Sequence, residues 1–286
     1  MKCILVTGGA GFIGSNLIKK LKENKDFRLI SLDNYFTGKK ENHIEGVTYV
    51  EGNTKDIDAL ITEIPDTVFH LGEYSRVEQS FDDISKVYEF NKIGTFAVLE
   101  FCRKHKAKLI YAGSSTKFGD GGLGRDQSPY AWTKATNTEL VINYGEWFNL
   151  NYAITYFYNV YGPGEIEEGN YATLIGIFKN RYKNKKNFGV VSPGTQLRNF
   201  THVDDIVSGL ILVGDRGVGD NYGLGSDDAY SVLEVAKMFG GQIEMLPPRR
   251  GNRMSAIVNT HRTKNELNWQ AAKKLPEHIK NYLEEN

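Results

Sequence analysis

Lys2-Cys3-Ile4-Leu5-Val6-Thr7-Gly8-Gly9-Ala10-Gly11-Phe12-Ile13-Gly14 opens the chain and decides its fold class. An apolar run feeds straight into glycines and then into an amphipathic stretch ending near Glu23. A second apolar run, Arg28 to Leu32, stops at Asp33. Strand, glycine turn, helix, strand and acid in that order make a dinucleotide-binding βαβ unit. Gly8 or Gly9 permits the tight turn, Gly11 lets backbone approach a pyrophosphate, and Gly14 lets helix and strand pack closely. The helix N-terminus offers free N–H groups and a positive dipole end to phosphate. Asp33 is placed to accept hydrogen bonds from the adenosine ribose and would repel a 2′-phosphate, so the expected cofactor is NAD.

Downstream, β-rich apolar runs alternate with helical patterns. Strands are expected at 28–32, 47–51, 67–71, 107–113 and 152–158, and helices at 55–64, 82–105 and 128–149. Continuous rather than alternating apolar character argues for a parallel sheet covered on both faces, a doubly wound α/β (Rossmann-type) architecture. From Asn159 glycine, proline and acidic residues break the pattern. Shorter elements follow: helices at 171–182, 203–213, 231–239, 262–268 and 272–284, and strands at 187–191, 221–224 and 242–246. The expected division is a cofactor domain over 1–158, with 198–216 returning to it, and a smaller α/β substrate lobe over 159–286. Helices 82–105 and 128–149 are longer than sheet coverage requires, which makes a homodimer through them an expectation.

The bulk composition narrows the function class. Lys+Arg and Asp+Glu number 35 each in 286 residues, so no net field favours nucleic acid or membrane. No apolar run reaches membrane-spanning length, and the first strand is too short for a secretory signal. Two cysteines, Cys3 and Cys102, read as free thiols of a reducing cytoplasm. Six histidines show no ligand spacing, so no metal is expected.

Four Tyr-x-x-x-Lys pairs occur, and context selects Tyr130/Lys134. Tyr130 follows Pro129 at the start of a long helix, downstream of a strand ending in Gly113-Ser114-Ser115-Thr116. Residues i and i+4 share a helix face, so Lys134 can hold an ammonium near the Tyr130 phenol. A tyrosine ordinarily titrates near ~10, and a neighbouring cation together with oxidised nicotinamide lowers that value toward a phenolate base. Ser114 can hold the same substrate hydroxyl. Such a trio suits alcohol oxidation.

With these segments the chain resembles the extended short-chain dehydrogenase/reductase family, in particular its NAD-dependent nucleotide-sugar epimerases and dehydratases. The resemblance runs nearly the whole length. It is carried by residues 7–14, Asp33 to Lys39, Phe69-His70-Leu71, Asn91 to Thr95, Ser114 to Gly119, Ser128-Pro129-Tyr130 with Lys134, Asn159 to Pro163, Arg198 to Asp205 and Leu267-Asn268-Trp269. It implies Ser114, Tyr130 and Lys134 as the catalytic trio. The implied cofactor contacts are Gly8, Gly11, Phe12, Ile13, Gly14, Asp33, Asn34, Asn53, Leu71, Tyr130 and Lys134. Ser115, Thr116, Asn159, Arg198 and Arg249 would meet a nucleotide-diphosphate sugar, with UDP the base the family implies.

Within the family, 4,6-dehydratases carry an acidic pair directly after the active-site hydroxyl residue, where this chain has Ser115 and Thr116. The expectation is therefore 4-epimerisation through a transient 4-keto sugar. A 4,6-dehydratase or 4-oxidoreductase is the alternative, and a non-catalytic NAD-binding regulator a more distant one. Three departures from the family pattern are Glu73, where alanine is usual, Asn53, where aspartate is usual, and a short glycine-rich stretch between Gly119 and Ser128.

Overall fold

The computed structural model describes residues 1–248, 254 and 258–286, the side chains of 119–121 and 123 excepted. In chain order the first part comprises β1 (Lys2–Thr7), α1 (Phe12–Leu21), β2 (Phe27–Asp33), β3 (Thr48–Glu51), α2 (Ile57–Leu60) and β4 (Thr67–His70). Next come α3 (Ile84–Val87), α4 (Gly94–His105), β5 (Lys108–Ser114), α5 (Pro129–Phe148) and β6 (Tyr152–Phe157). The remainder comprises β7 (Val160–Tyr161), α6 (Leu174–Lys183), β8 (Phe188–Val191), β9 (Leu197–Asn199), β10 (Thr201–His202) and α7 (Val203–Arg216). It ends with β11 (Gly219–Leu224), β12 (Ala229–Ser231), α8 (Val232–Phe239), β13 (Ile243–Leu246), α9 (His261–Leu267) and α10 (Leu275–Glu285).

Seven strands form one parallel sheet in the order β11-β6-β5-β4-β1-β2-β3. The chain winds outward both ways from β1, so the crevice between the carboxyl ends of β1 and β4 is the switch point where such sheets place ligands. Alternate residues serve opposite faces. Ile4, Val6 and Ile110 pack with Leu17 of α1 and Ile206, Leu210 and Val213 of α7. Leu5, Leu109 and Tyr111 pack with Val98 and Leu99 of α4 and Val141 of α5. A third core, with Phe178, Phe188, Val235, Phe239 and Ile279, belongs to the smaller lobe.

Three expected elements come out differently. The strand near 221–224, assigned above to the lobe, pairs with β6 as the outer strand of the main sheet. Tyr222 and Leu224 are buried in the α1/α7 core, so apolar burial carries the chain back past residue 216. Helix 55–64 is a 3₁₀ turn at Thr54–Asp56 followed by α2, and it ends at Leu60. Pro65 disfavours helical geometry at the residue before it, which closes off the remaining turn. Helix 82–105 contains a wide π-turn over Tyr88–Ile93 between α3 and α4. The short strands β7, β9, β10 and β12 have no periodic signature of their own. Among the described residues no helix is long and apolar enough to cross a membrane, and no group of three or more His, Cys, Asp or Glu could hold a metal ion.

Candidate active site

The glycine turn after β1 is built as its sequence requires. Gly8 has φ +71°, and its N–H donates to the Leu32 carbonyl at 2.8 Å, which ties the turn to β2. A Cβ at Gly14 would stand 2.1 Å from the Gly8 carbonyl oxygen, so only glycine permits this approach. Gly11 caps α1 without a side-chain bond, and the first turn carries no acid. The helix N–H groups therefore face the cleft unneutralised, a cradle for a pyrophosphate.

Asp33, at the end of β2, is buried. Its Oδ2 accepts from Ala10 N–H at 2.9 Å and its Oδ1 from Tyr35 N–H at 2.8 Å. Burial pushes its carboxyl above the usual range, opposed by the backbone donors Tyr35, Ala10 and Gly11. Each oxygen keeps a lone pair for a ribose hydroxyl. Asn34 donates to Asn53 Oδ1 at 2.7 Å, so Asn53 stands behind Asn34 and holds it. The turn, the uncapped helix and the buried carboxylate together fit NAD.

At the other end of the cleft, Ser128 caps α5 by accepting from Ala131 N–H at 3.1 Å, with Pro129 in the first turn. This cap fixes where α5 begins and brings Tyr130 against the carboxyl end of β5. The Tyr130 hydroxyl donates to Ser114 Oγ at 3.1 Å, and Ser114 Oγ lies 2.9 Å from Thr116 Oγ1. One turn on, Lys134 is directed to the sheet. Its ammonium donates to Glu73 Oε2 and to the Ala112 carbonyl and lies 4.6 Å over the Tyr111 ring.

The side chains of Lys134 and Glu73 are only 5% and 4% exposed. Glu73 Oε1 accepts from Thr95 Oγ1 and Asn137 Nδ2 at 3.0 Å each and from the Tyr111 hydroxyl at 3.2 Å. Glu73 is thus the hydrogen-bonded loop carboxylate of a closed network. Thr95 also lies 3.0 Å from His70 Nε2, and His70 Nδ1 lies 2.7 Å from Thr7 Oγ1. Burial pushes the His70 imidazole down to about 4, so it is neutral at neutral pH.

The glycine turn, Asp33, Asn34, Glu73, Ser114, Thr116, Tyr130 and Lys134 line one cleft of about 440 Å³. It brings together Gly8, Gly11, Phe12, Ile13, Gly14, Asp33, Asn34, Leu71, Ser114, Ser115, Thr116, Tyr130, Lys134 and Asn159 from the sequence reading. Asn53 and Arg198 are not in its lining. Arg198 is on β9, where its Nη1 donates to the Leu197 carbonyl at 2.8 Å. Arg249 lies outside the described residues. Ile166 and Ala172 to Ile175 of the lobe and Phe200 also line it, and none of them was named above as a site residue.

The sequence reading also missed Arg76. Its Nε donates to the Tyr171 carbonyl at 2.8 Å and its Nη1 to the Ser75 carbonyl at 3.0 Å. It has no carboxylate partner among the described residues, and burial holds its guanidinium below the usual range. A charged residue in the loop after a central parallel strand was the available signal.

Residues 4–225 match the model of the NAD dependent epimerase/dehydratase family, and the chain belongs to that family. It is 29% identical to a putative UDP-glucose 4-epimerase of Methanocaldococcus jannaschii, over 99% of each chain. It is 32% identical to a dTDP-D-glucose 4,6-dehydratase of Dictyostelium discoideum over 82% of its own length, which spans 60% of that protein. Among solved structures, UDP-glucose 4-epimerase of Thermotoga maritima with UDP-glucose superposes with a TM-score of 0.91 at 26% identity, covering 99% and 97% of the two chains. The Thermus thermophilus UDP-glucose 4-epimerase in complex with NAD gives 0.88 at 25% identity, covering 99% and 98%. The cofactor of this family is NAD, which the glycine turn, the uncapped helix start and Asp33 fit.

Proposed function

We propose that the chain is an NAD-dependent nucleotide-sugar 4-epimerase working through a transient 4-keto sugar. In this reading Tyr130 accepts the proton of the sugar C4 hydroxyl while Ser114 holds its oxygen. NAD, when bound, supplies the two-electron oxidation at C4 and its reversal. The keto sugar turns over in the cleft and is reduced on its other face, and Tyr130 returns the proton. Residues 1–158, with the returning 198–216 and the adjoining β11, hold the cofactor. The lobe and Asn159 meet the substrate, for which UDP is the first base to try because UDP-sugar enzymes are prominent among the relatives. Arg198 and Arg249 are assigned to its diphosphate by resemblance alone.

One observation carries epimerisation over dehydration. The carboxylates in the described cleft lining are Asp33, at the adenosine end, and Glu73, committed to Lys134, Thr95, Asn137 and Tyr111. Eliminating water from a sugar needs a free acid and base beside the 4-keto centre. Ser115 and Thr116 cannot supply them. Incubation with UDP-, dTDP-, CDP- and GDP-hexoses, with products read by NMR, tests this. C4-inverted product is expected, and a 6-deoxy-4-keto product would overturn the assignment.

The same reading includes a homodimer and a reducing cytoplasmic setting. Ile84, Tyr88, Ile93 and Phe96 on the helices 84–105 and Trp132 on α5 are large apolar groups left exposed. Sedimentation equilibrium should give twice the chain mass. Both cysteines are free.

A further inference from the structure

Lys117, Tyr156 and Asp220 form a hydrogen-bonded chain that the chemistry above does not use. Lys117 donates to the Tyr156 hydroxyl at 2.6 Å, and that hydroxyl donates to Asp220 Oδ1 at 2.6 Å. The Lys117 ammonium also stands 4.5 Å over the Tyr156 ring and 3.7 Å from Asp220 Oδ2. Asn221 N–H donates to Asp220 Oδ1 at 2.6 Å and fixes the carboxylate on the edge strand β11. Tyr156 is 1% exposed, and the side chains of Lys117 and Asp220 are 21% and 18% exposed. None of the three lines the cleft.

The chain grips both ends of the segment that carries the site's hydroxyls. The register of β6 on β5 sets Tyr156 beside Gly113 and Phe157 beside Ser114. The Tyr156 ring packs so closely there that a Cβ at Gly113 would stand 2.6 Å from its Cε1. The ring therefore holds the backbone just before Ser114, and the hydroxyl holds Lys117, three residues after it. Phe118 closes the turn against the same ring, edge-on with centroids 5.0 Å apart. Between these two holds lie Ser114, Ser115 and Thr116, all of which line the cleft. Ser114 Oγ accepts from Thr116 N–H at 3.3 Å and from the Tyr130 hydroxyl at 3.1 Å. A shift of the turn would carry all of these contacts with it.

We propose that Tyr156, clamped between Lys117 and Asp220, is a positioning residue that sets the Ser114–Thr116 turn in register with Tyr130. The proposal rests on the reading of Ser114 and Tyr130 as the pair that meets the sugar C4 hydroxyl. Reacting groups lose rate steeply when they are displaced by even about 1 Å. Removing the phenol oxygen breaks the clamp at its middle and leaves the ring packed on Gly113. Lys117 then has no near acceptor, because Asp220 is still 3.7 Å away, and the carboxyl-terminal end of the turn is released.

The test compares Tyr156→Phe, Lys117→Met, the double variant and Lys117→Arg in the full chain loaded with NAD, with rates referred to the folded fraction from urea denaturation. On UDP-glucose and UDP-galactose, kcat should fall about tenfold in each of the first two, with KM and NAD affinity within about twofold of the parent. The double variant should be no slower than either single one, because the groups act as a unit. Lys117→Arg keeps a donor for the phenol and should restore most of the parent rate. Amide hydrogen exchange, read by NMR at Thr116, should be faster in Tyr156→Phe and Lys117→Met than in the parent. Parental kcat in Tyr156→Phe, losses that multiply in the double variant, or unchanged exchange at Thr116 overturns the proposal. If Tyr156→Phe does not fold, the two Lys117 variants decide alone. In a protein inert toward every nucleotide sugar the epimerase reading fails, and exchange at Thr116 still decides for or against the clamp.

Discussion

The Tyr130 hydroxyl and Ser114 Oγ are 3.1 Å apart, joining the first turn of α5 to the carboxyl end of β5. Neither group has a charged partner in that contact, so both are available to a substrate hydroxyl entering between them. Tyr130→Phe removes the hydroxyl that the proposed reading makes the proton acceptor and keeps the ring. Turnover should fall at least about a hundredfold, while NAD binding by fluorescence titration stays within about twofold of the parent. Comparable rates in variant and parent would rule out Tyr130 as the base.

Asp33→Ala should weaken NAD at least about tenfold in calorimetric titration, because ribose hydroxyls lose charged acceptors. Part of the loss is indirect, since Asp33 also holds Ala10 N–H and Tyr35 N–H. Unchanged affinity would remove the ribose from its neighbourhood.

Gly14→Ala tests the turn itself. With the Gly8 carbonyl oxygen 2.1 Å from the new Cβ, α1 must shift away from β1. A stability loss on the order of 1–3 kcal/mol is expected in urea denaturation, together with weakened NAD binding as the phosphate cradle opens. A variant as stable as the parent would show that α1 yields without cost.

His70 predicts a pH dependence. Buried and neutral, it titrates at about 4 in the folded protein against 6.5 in the unfolded chain. Between those values the unfolded state binds the extra proton, so stability rises with pH through this window and is lost as pH falls through it. The full effect is roughly 3 kcal/mol. His70→Gln should flatten the difference in unfolding free energy between pH 7 and pH 4.5. An equally steep variant would exclude His70 as its source.

In the cofactor half, the geometry at Gly8, Gly14 and Asp33 was legible from local pattern, whereas Asn53, expected to meet the cofactor, lies outside the cleft lining and holds Asn34. Gly8, Gly14 and Asp33 act through contacts made within one βαβ unit, where spacing and turn chemistry dictate geometry. Ser114 and Tyr130 were legible for a related reason: a strand end and a capped helix start, sixteen residues apart, are both local signals. The boundaries of α2 and the π-turn before α4 were not, because they depend on how those segments settle on the sheet. β11 was misplaced for the same reason: a short strand with two large apolar residues reads alike in either domain, and only burial of Tyr222 and Leu224 decides between them.

The amino-acid sequence by itself determined the doubly wound fold, the NAD cradle and the hydroxyl-plus-phenol pair, since each follows from short-range periodicity and backbone constraint. Tertiary structure alone decided which charged groups meet in the cleft. Glu73 and Lys134 are 61 residues apart, and Arg76 and Tyr171 are 95 apart. No local pattern states that the first pair meets, or that Arg76 finds only neutral oxygens. Electrostatic partnership depends on distance and enclosure in space, and those exist only once the sheet, α5 and the lobe have packed together.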